Sequence, residues 1–227
     1  NEGAFDVVAQ DADRIHLRKA IRLENYSGTA FDLAVDRTVR LLGAADVAAL
    51  GVPVPAGVKM VAYASDNSIT NTGAAAWTKD TGLLSIWILG MFNPSPGTTI
   101  VIPFRSGSEK ELGPAVNDAY FGKVPADRLV VDAARGILFF SGDGKFRSKI
   151  GISPRRVKAF AGSYDAANGV LTVVHLTVPD GATDYVNSMW EIQERPFSGD
   201  VVNSYNDGPA TPGAKPLGPF YELESAR

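Results

Sequence analysis

Residues 14–25 alternate without a break. The odd positions are Ile15, Leu17, Lys19, Ile21 and Leu23, and the even positions are Arg14, His16, Arg18, Ala20, Arg22 and Glu24. A period of two belongs to a strand with one apolar and one charged face. Residues 31–41 repeat the pattern with Phe31, Leu33, Val35, Arg37, Val39 and Leu41. Residues 26–30, with Ser27-Gly28, connect the two runs, so a hairpin is expected. Pairing Asn25 with Phe31 would set Leu23 against Leu33, Ile21 against Val35 and Lys19 against Arg37. Two like charges opposed on an apolar face are unfavourable, and a buried unpaired cation costs more. Either a structural carboxylate from another strand meets them, or this face opens onto a ligand groove that Lys19 and Arg37 line.

The rest of the chain is read in the same way. Short runs rich in Thr, Val, Ile and aromatic residues are separated by Gly, Pro, Asn and Asp, and no apolar period of 3.6 is sustained. This predicts an all-β protein. One short helix is expected from Ala44 to Leu50, ended by Gly51 and Pro53. Residues 58–69, 83–92 and 98–104 read as strands. The run 83–92 (LLSIWILGMF) is apolar on both faces, as in a strand buried between layers. Residues 105–119 read as an exposed loop with solvated Glu109, Lys110 and Glu111. Residues 129–131 and 137–140 flank a turn, and 158–164 and 170–178 form a second hairpin around Asn168-Gly169. After the Gly142-Asp143-Gly144 turn, Lys145, Arg147 and Lys149 share a strand face. That face is either a solvated edge or a site for an acidic or hydroxylated ligand.

At 227 residues and a net charge of −3, one β domain spanning 1–227 is expected. The charge argues against a nucleic-acid partner. No apolar run approaches the roughly 20 residues of a membrane span. The absence of cysteine excludes disulfides, thiolate metal sites and a Cys nucleophile, and fits cytoplasm and periplasm alike. The chain starts at Asn1 without Met and stops abruptly at Arg227, so a processed or trimmed form of a longer chain is expected. A removed leader would place it in the periplasm or outside the cell.

The polar chemistry concentrates in residues 184–224. Trp190, Glu191, Asn203, Asp207, Glu222 and Glu224 are spaced there by Gly/Pro-rich connections. Glu222 and Glu224 fall on one face of their strand, with Tyr221 and Leu223 on the other. Trp77, Trp87 and Trp190 are of the type that stacks on sugars, although Trp87 reads as core. His175 lies within an apolar strand and is either a satisfied core residue or an acid; His16 is the weaker candidate. Asp200, Asn203, Asn206 and Asp207 offer hard oxygen ligands for Ca²⁺, but their spacing is not an EF-hand, and no cofactor or metal site is expected. Glu191 and Glu222 would be the carboxylates of a glycoside-processing site.

The runs KVPADRLVV (123–131), SGDGKFRSKIGISP and GSYD (141–165), and NSMWEIQ, DVVNSYNDGP and KPLGPFYELES (187–225) resemble a group of bacterial proteins common in Bacteroidetes. That group belongs with the galactose mutarotase-like β-supersandwich superfamily. The resemblance implies large, twisted antiparallel sheets with a sugar-sized groove, incomplete at both ends here. It implies a small-molecule carbohydrate partner and aldose epimerase-like chemistry, in which a carboxylate base and a histidine acid open and reclose a hexose ring. Glu222, Glu224 or Glu191 would be the base and His175 the acid. Lys19, Arg37, Arg147, Trp190, Asn203 and Asp207 would hold the ligand. The superfamily's second histidine has no counterpart here. A non-catalytic structural or accessory module is therefore the alternative, and a glycoside-processing enzyme the second alternative.

Overall fold

The computed structural model describes residues 3–189 and 191–227. The protein is all-β, with three antiparallel sheets. Where one domain is expected over 1–227, the chain forms two compact units, Asn1–Ile86 and Trp87–Arg227.

The first unit is a four-stranded sheet in the order β1-β2-β3-β4, with β1 Asp6–Gln10, β2 Arg14–Glu24, β3 Ala30–Leu41 and β4 Tyr63–Asn71. Helix α1, Ala44–Ala49, follows β3, as the sequence indicates. The alternating run forms β2, and its even positions carry the charge ladder: Arg22 Nη1 meets Asp32 Oδ1 at 2.7 Å, and His16 Nε2 meets Asp36 Oδ1 at 2.8 Å. The hairpin register differs from the expected one. Leu23 pairs with Phe31, Ile21 with Leu33, Lys19 with Val35 and Leu17 with Arg37. Lys19 and Arg37 are therefore diagonal neighbours and not an opposed pair. Asn25 causes the shift. It leaves the strand and closes the turn, accepting the Thr29 amide at 2.8 Å and donating to the Thr81 carbonyl at 2.9 Å. Both cations have local partners: Lys19 Nζ donates to the Gly3 carbonyl at 2.7 Å, and Arg37 Nε donates to Ser65 Oγ at 3.2 Å. Strand β4 begins at Tyr63, opposite Leu41 where β3 ends, so residues 58–62 are not strand.

The second unit holds two sheets. The strands β5 Trp87–Phe92, β6 Thr98–Pro103, β7 Leu129–Asp132, β8 Ile137–Ser141, β9 Ser148–Ile152, β10 Phe160–Asp165, β11 Val170–His175, β12 Val202–Asn206 and β13 Tyr221–Ala226 are joined by loops and by the short helix α2, Glu109–Leu112. One sheet runs β11-β10-β6-β8-β7 and the other β5-β13-β12-β9. Ile100, Ile102, Leu138, Phe140 and Ala161 of the first join Ile150, Ile152, Val202, Tyr221 and Leu223 of the second in one buried core. This is a two-layer β arrangement in which alternate residues of each strand are left on an outer face.

The run 83–92 behaves differently from its reading. Only Trp87–Phe92 is strand, and Trp87, Leu89 and Met91 are 39%, 44% and 58% exposed. Strand β5 lies at a sheet edge and is covered on one face only. An apolar run shows affinity for burial, not which neighbours exist. Trp87 is thus not core.

Candidate functional site

The outer face of the β5-β13-β12-β9 sheet is built by register. Glu222 and Glu224 alternate with the core residues Tyr221 and Leu223 on β13. Across the ladder, Asn203 pairs with Glu224 and Tyr205 with Glu222. One strand further, Lys149 pairs with Tyr205 and Gly151 with Asn203. On the other side Trp87, Leu89 and Met91 pair with Ala226, Glu224 and Glu222. The two carboxylates, the amide and the lysine therefore share one face, flanked by an apolar edge.

Burial makes this face costly unless it is paired. Lys149 and Glu224 are 4% and 2% exposed, and Lys149 Nζ meets Glu224 Oε2 at 2.9 Å. The same carboxylate oxygen accepts the Trp87 indole N–H at 2.8 Å. The Lys149 ammonium also lies 4.5 Å from the Trp87 ring centroid and 5.2 Å from that of Tyr120, a cation–π arrangement on two sides. The apolar edge thus serves as an aromatic wall for the buried ion pair.

Next to this pair, acceptors are left over. Glu224 Oε1 and Asn203 Oδ1 are buried and have no hydrogen-bond partner, although their residues pair directly across the ladder. Glu222, 8% exposed, stands two residues from Glu224 on the same face. Burial, and then the charge of Glu224, push its carboxyl up to about 7, which Lys149 only partly opposes. It is poised to hold or release a proton near neutrality.

The nearby carboxylates Asp200 and Asp207 are internally satisfied. Asp200 accepts from the Asn117 amide at 2.9 Å and the Tyr120 hydroxyl at 2.6 Å. Burial raises its pKa against those bonds, and burial followed by Asp200 raises Tyr120 well above the ordinary tyrosine value. Gly151 is required here, because a Cβ would collide with the Asp200 carboxylate. Residues 105–119 are thus more than a solvated loop: Asn117 bridges to Gly151 through its backbone and reaches Asp200 through its side chain. Asp207 accepts the Tyr205 hydroxyl and the Gly218 amide, both at 2.8 Å. Burial, reinforced by that bond to Asp207, pushes Tyr205 up to about 12.

The sequence candidates divide accordingly. Glu222 and Asn203 are at the cluster, and Asp207 borders it as a structural acceptor. Arg147 lies with its guanidinium 4.0 Å from the Phe121 ring centroid. Glu191 is exposed on the loop before β12. His175 is exposed beside Phe160, with ring centroids 4.8 Å apart. It pairs with Phe160, and its neighbours Val174 and Leu176 face the core, so it points away from the core on the other sheet. Glu222 and His175 therefore stand on opposite outer faces and form no acid–base pair. Lys19 and Arg37 belong to the first unit, and Trp190 lies outside the described residues. The oxygen-rich run does not converge, because Asn206 faces away from Asn203 and binds the Gly144 amide. Among the described residues no group of three potential metal ligands is assembled, and no helix is long and apolar enough to cross a membrane. Through the Lys145–Arg147–Lys149 alternation, the sequence places Lys149 on a face that is either a solvated edge or a ligand site, and it gives no local sign of Tyr120.

A family model matches residues 1–227, so the chain belongs to a family of unknown function (DUF6786). No curated protein and no solved structure matches it.

Proposed function

We propose that this member of that family binds a sugar-sized ligand on the outer face of the β5-β13-β12-β9 sheet, in a galactose mutarotase-like groove, with Glu222 as the acid–base group. The observation that carries the reading is the adjacent pair of buried, unpartnered acceptors, Glu224 Oε1 and Asn203 Oδ1. An orphaned buried acceptor costs about 1–3 kcal/mol, and a ligand's O–H or N–H donors would recover that. The exposed edge of Trp87, Leu89 and Met91 supplies the apolar surface on which a sugar ring rests. Ring opening needs one group to take the anomeric proton and another to protonate the ring oxygen. Glu222 is tuned for one of these roles; His175 lies on the opposite outer face, so the other role falls to a different group.

The alternative, a non-catalytic accessory module, is favoured by the internal satisfaction of Asp200, Asp207 and the Lys149–Glu224 pair. Calorimetric titration with neutral hexoses, amino sugars, uronic acids and short oligosaccharides separates the two readings. The expected result is saturable binding that weakens at least about tenfold in Asn203→Ala, with anomer exchange followed by NMR for any sugar that binds. A folded protein that binds none of them leaves the accessory module.

A further inference from the structure

Four donors at this face already have acceptors. The Trp87 indole and the Lys149 ammonium go to Glu224, the Tyr120 hydroxyl to Asp200 and the Tyr205 hydroxyl to Asp207. Glu224 Oε1 and Asn203 Oδ1 remain without a hydrogen-bond partner, beside the Glu222 carboxyl, which hydrogen-bonds Glu224 when it carries its proton. Lys149 balances one of the two glutamates, and Arg147 lies against Phe121 and reaches the Tyr205 hydroxyl. A ligand reaching these atoms would bring hydrogen-bond donors, and a cationic one would be drawn to the second glutamate. A primary ammonium presents three donors on one cationic centre, whereas a carboxylate or phosphate would face the negative charge of Glu224.

We infer that the ligand is an amino sugar whose primary ammonium sits among Glu224 Oε1, Asn203 Oδ1 and the Glu222 carboxylate. This rests on the reading of the face as a sugar site. Glu222 is faced by Glu224 from its own strand, by Lys149 from β9, and by Tyr205 and Asp207 from β12 and its end. An arriving cation favours the ionised form of Glu222, so binding expels the proton that Glu222 holds below neutrality.

The test is calorimetric titration of the intact chain at about pH 6.5 with matched pairs: glucosamine and glucose, galactosamine and galactose, mannosamine and mannose, together with N-acetylglucosamine and glucuronate. In at least one pair the amine should bind at least about tenfold tighter than its neutral partner. N-acetylglucosamine and glucuronate should be weaker than the amine. Titration in buffers of different ionisation heat should show proton release for the amine, and that release should vanish in Glu222→Gln checked for folding by circular dichroism. Equal affinity for amine and neutral sugars, tight glucuronate binding, or proton release that persists in Glu222→Gln would overturn the ammonium assignment while leaving the sugar site standing. Binding of no sugar at all would remove both.

Discussion

Lys149 has no solvent route for its charge, so its value to the fold depends on Glu224. Lys149→Met should cost about 3–5 kcal/mol, because it strands a buried carboxylate. Lys149→Met with Glu224→Leu should recover much of that loss, and the midpoints of urea denaturation would show it. Gly151→Ala should cost about 1–3 kcal/mol, because the added methyl displaces the Asp200 carboxylate. Glu222 carries the pH signature. Its folded pKa of about 7 lies above the ordinary 4.5, so between these values the folded state binds more protons than the unfolded one. Stability from this group is full below about pH 4.5 and falls as pH rises through 7. Relative to wild type, Glu222→Gln should gain stability across that window, by no more than about 3 kcal/mol. A thermal-melt series across pH with no divergence between the two proteins would show that Glu222 titrates normally. At this scale the sequence reading does well where side-chain alternation suffices, as for Glu222 and Glu224. It fails at Tyr120 and Asp200, which meet only because a loop crosses the sheet.

The hairpin of β2 and β3 shows what a single turn residue decides at the scale of elements. Period-two alternation specifies which residues share a face, and a shift of two in pairing preserves that. It leaves open which residues stand opposite each other. Asn25 fixes that by bonding the Thr29 amide and the Thr81 carbonyl. Asn25→Ala should destabilise the first unit by about 1–2 kcal/mol, read as earlier loss of that unit's sheet signal on heating. Strand ends follow the same logic: β4 begins at Tyr63 opposite Leu41, and β11 ends at His175 opposite Phe160. Neither end is marked by its own residues, because a strand lasts only as long as its partner.

For the whole molecule, apolar burial is unevenly distributed. The first unit buries Phe31, Leu33 and Ala34, whereas the second holds the continuous core from Ile100 to Leu223. Hydrogen exchange should therefore protect β6, β8, β9 and β12 far more than β1 and β2, since protection follows the cost of local opening. Uniform protection across both units would contradict this. The all-β class, the hairpins, the short helix and the facing of Glu222 and Glu224 are legible in the chain because they depend on local periodicity and turn chemistry. Long-range packing made Trp87 a half-exposed wall and not core. It also decided that Lys149 is bound to Glu224 and that His175 lies across the sandwich from Glu222. Each of those outcomes depends on which strand is a neighbour and which face is covered. Residues far apart in the chain settle both, and no local pattern encodes them.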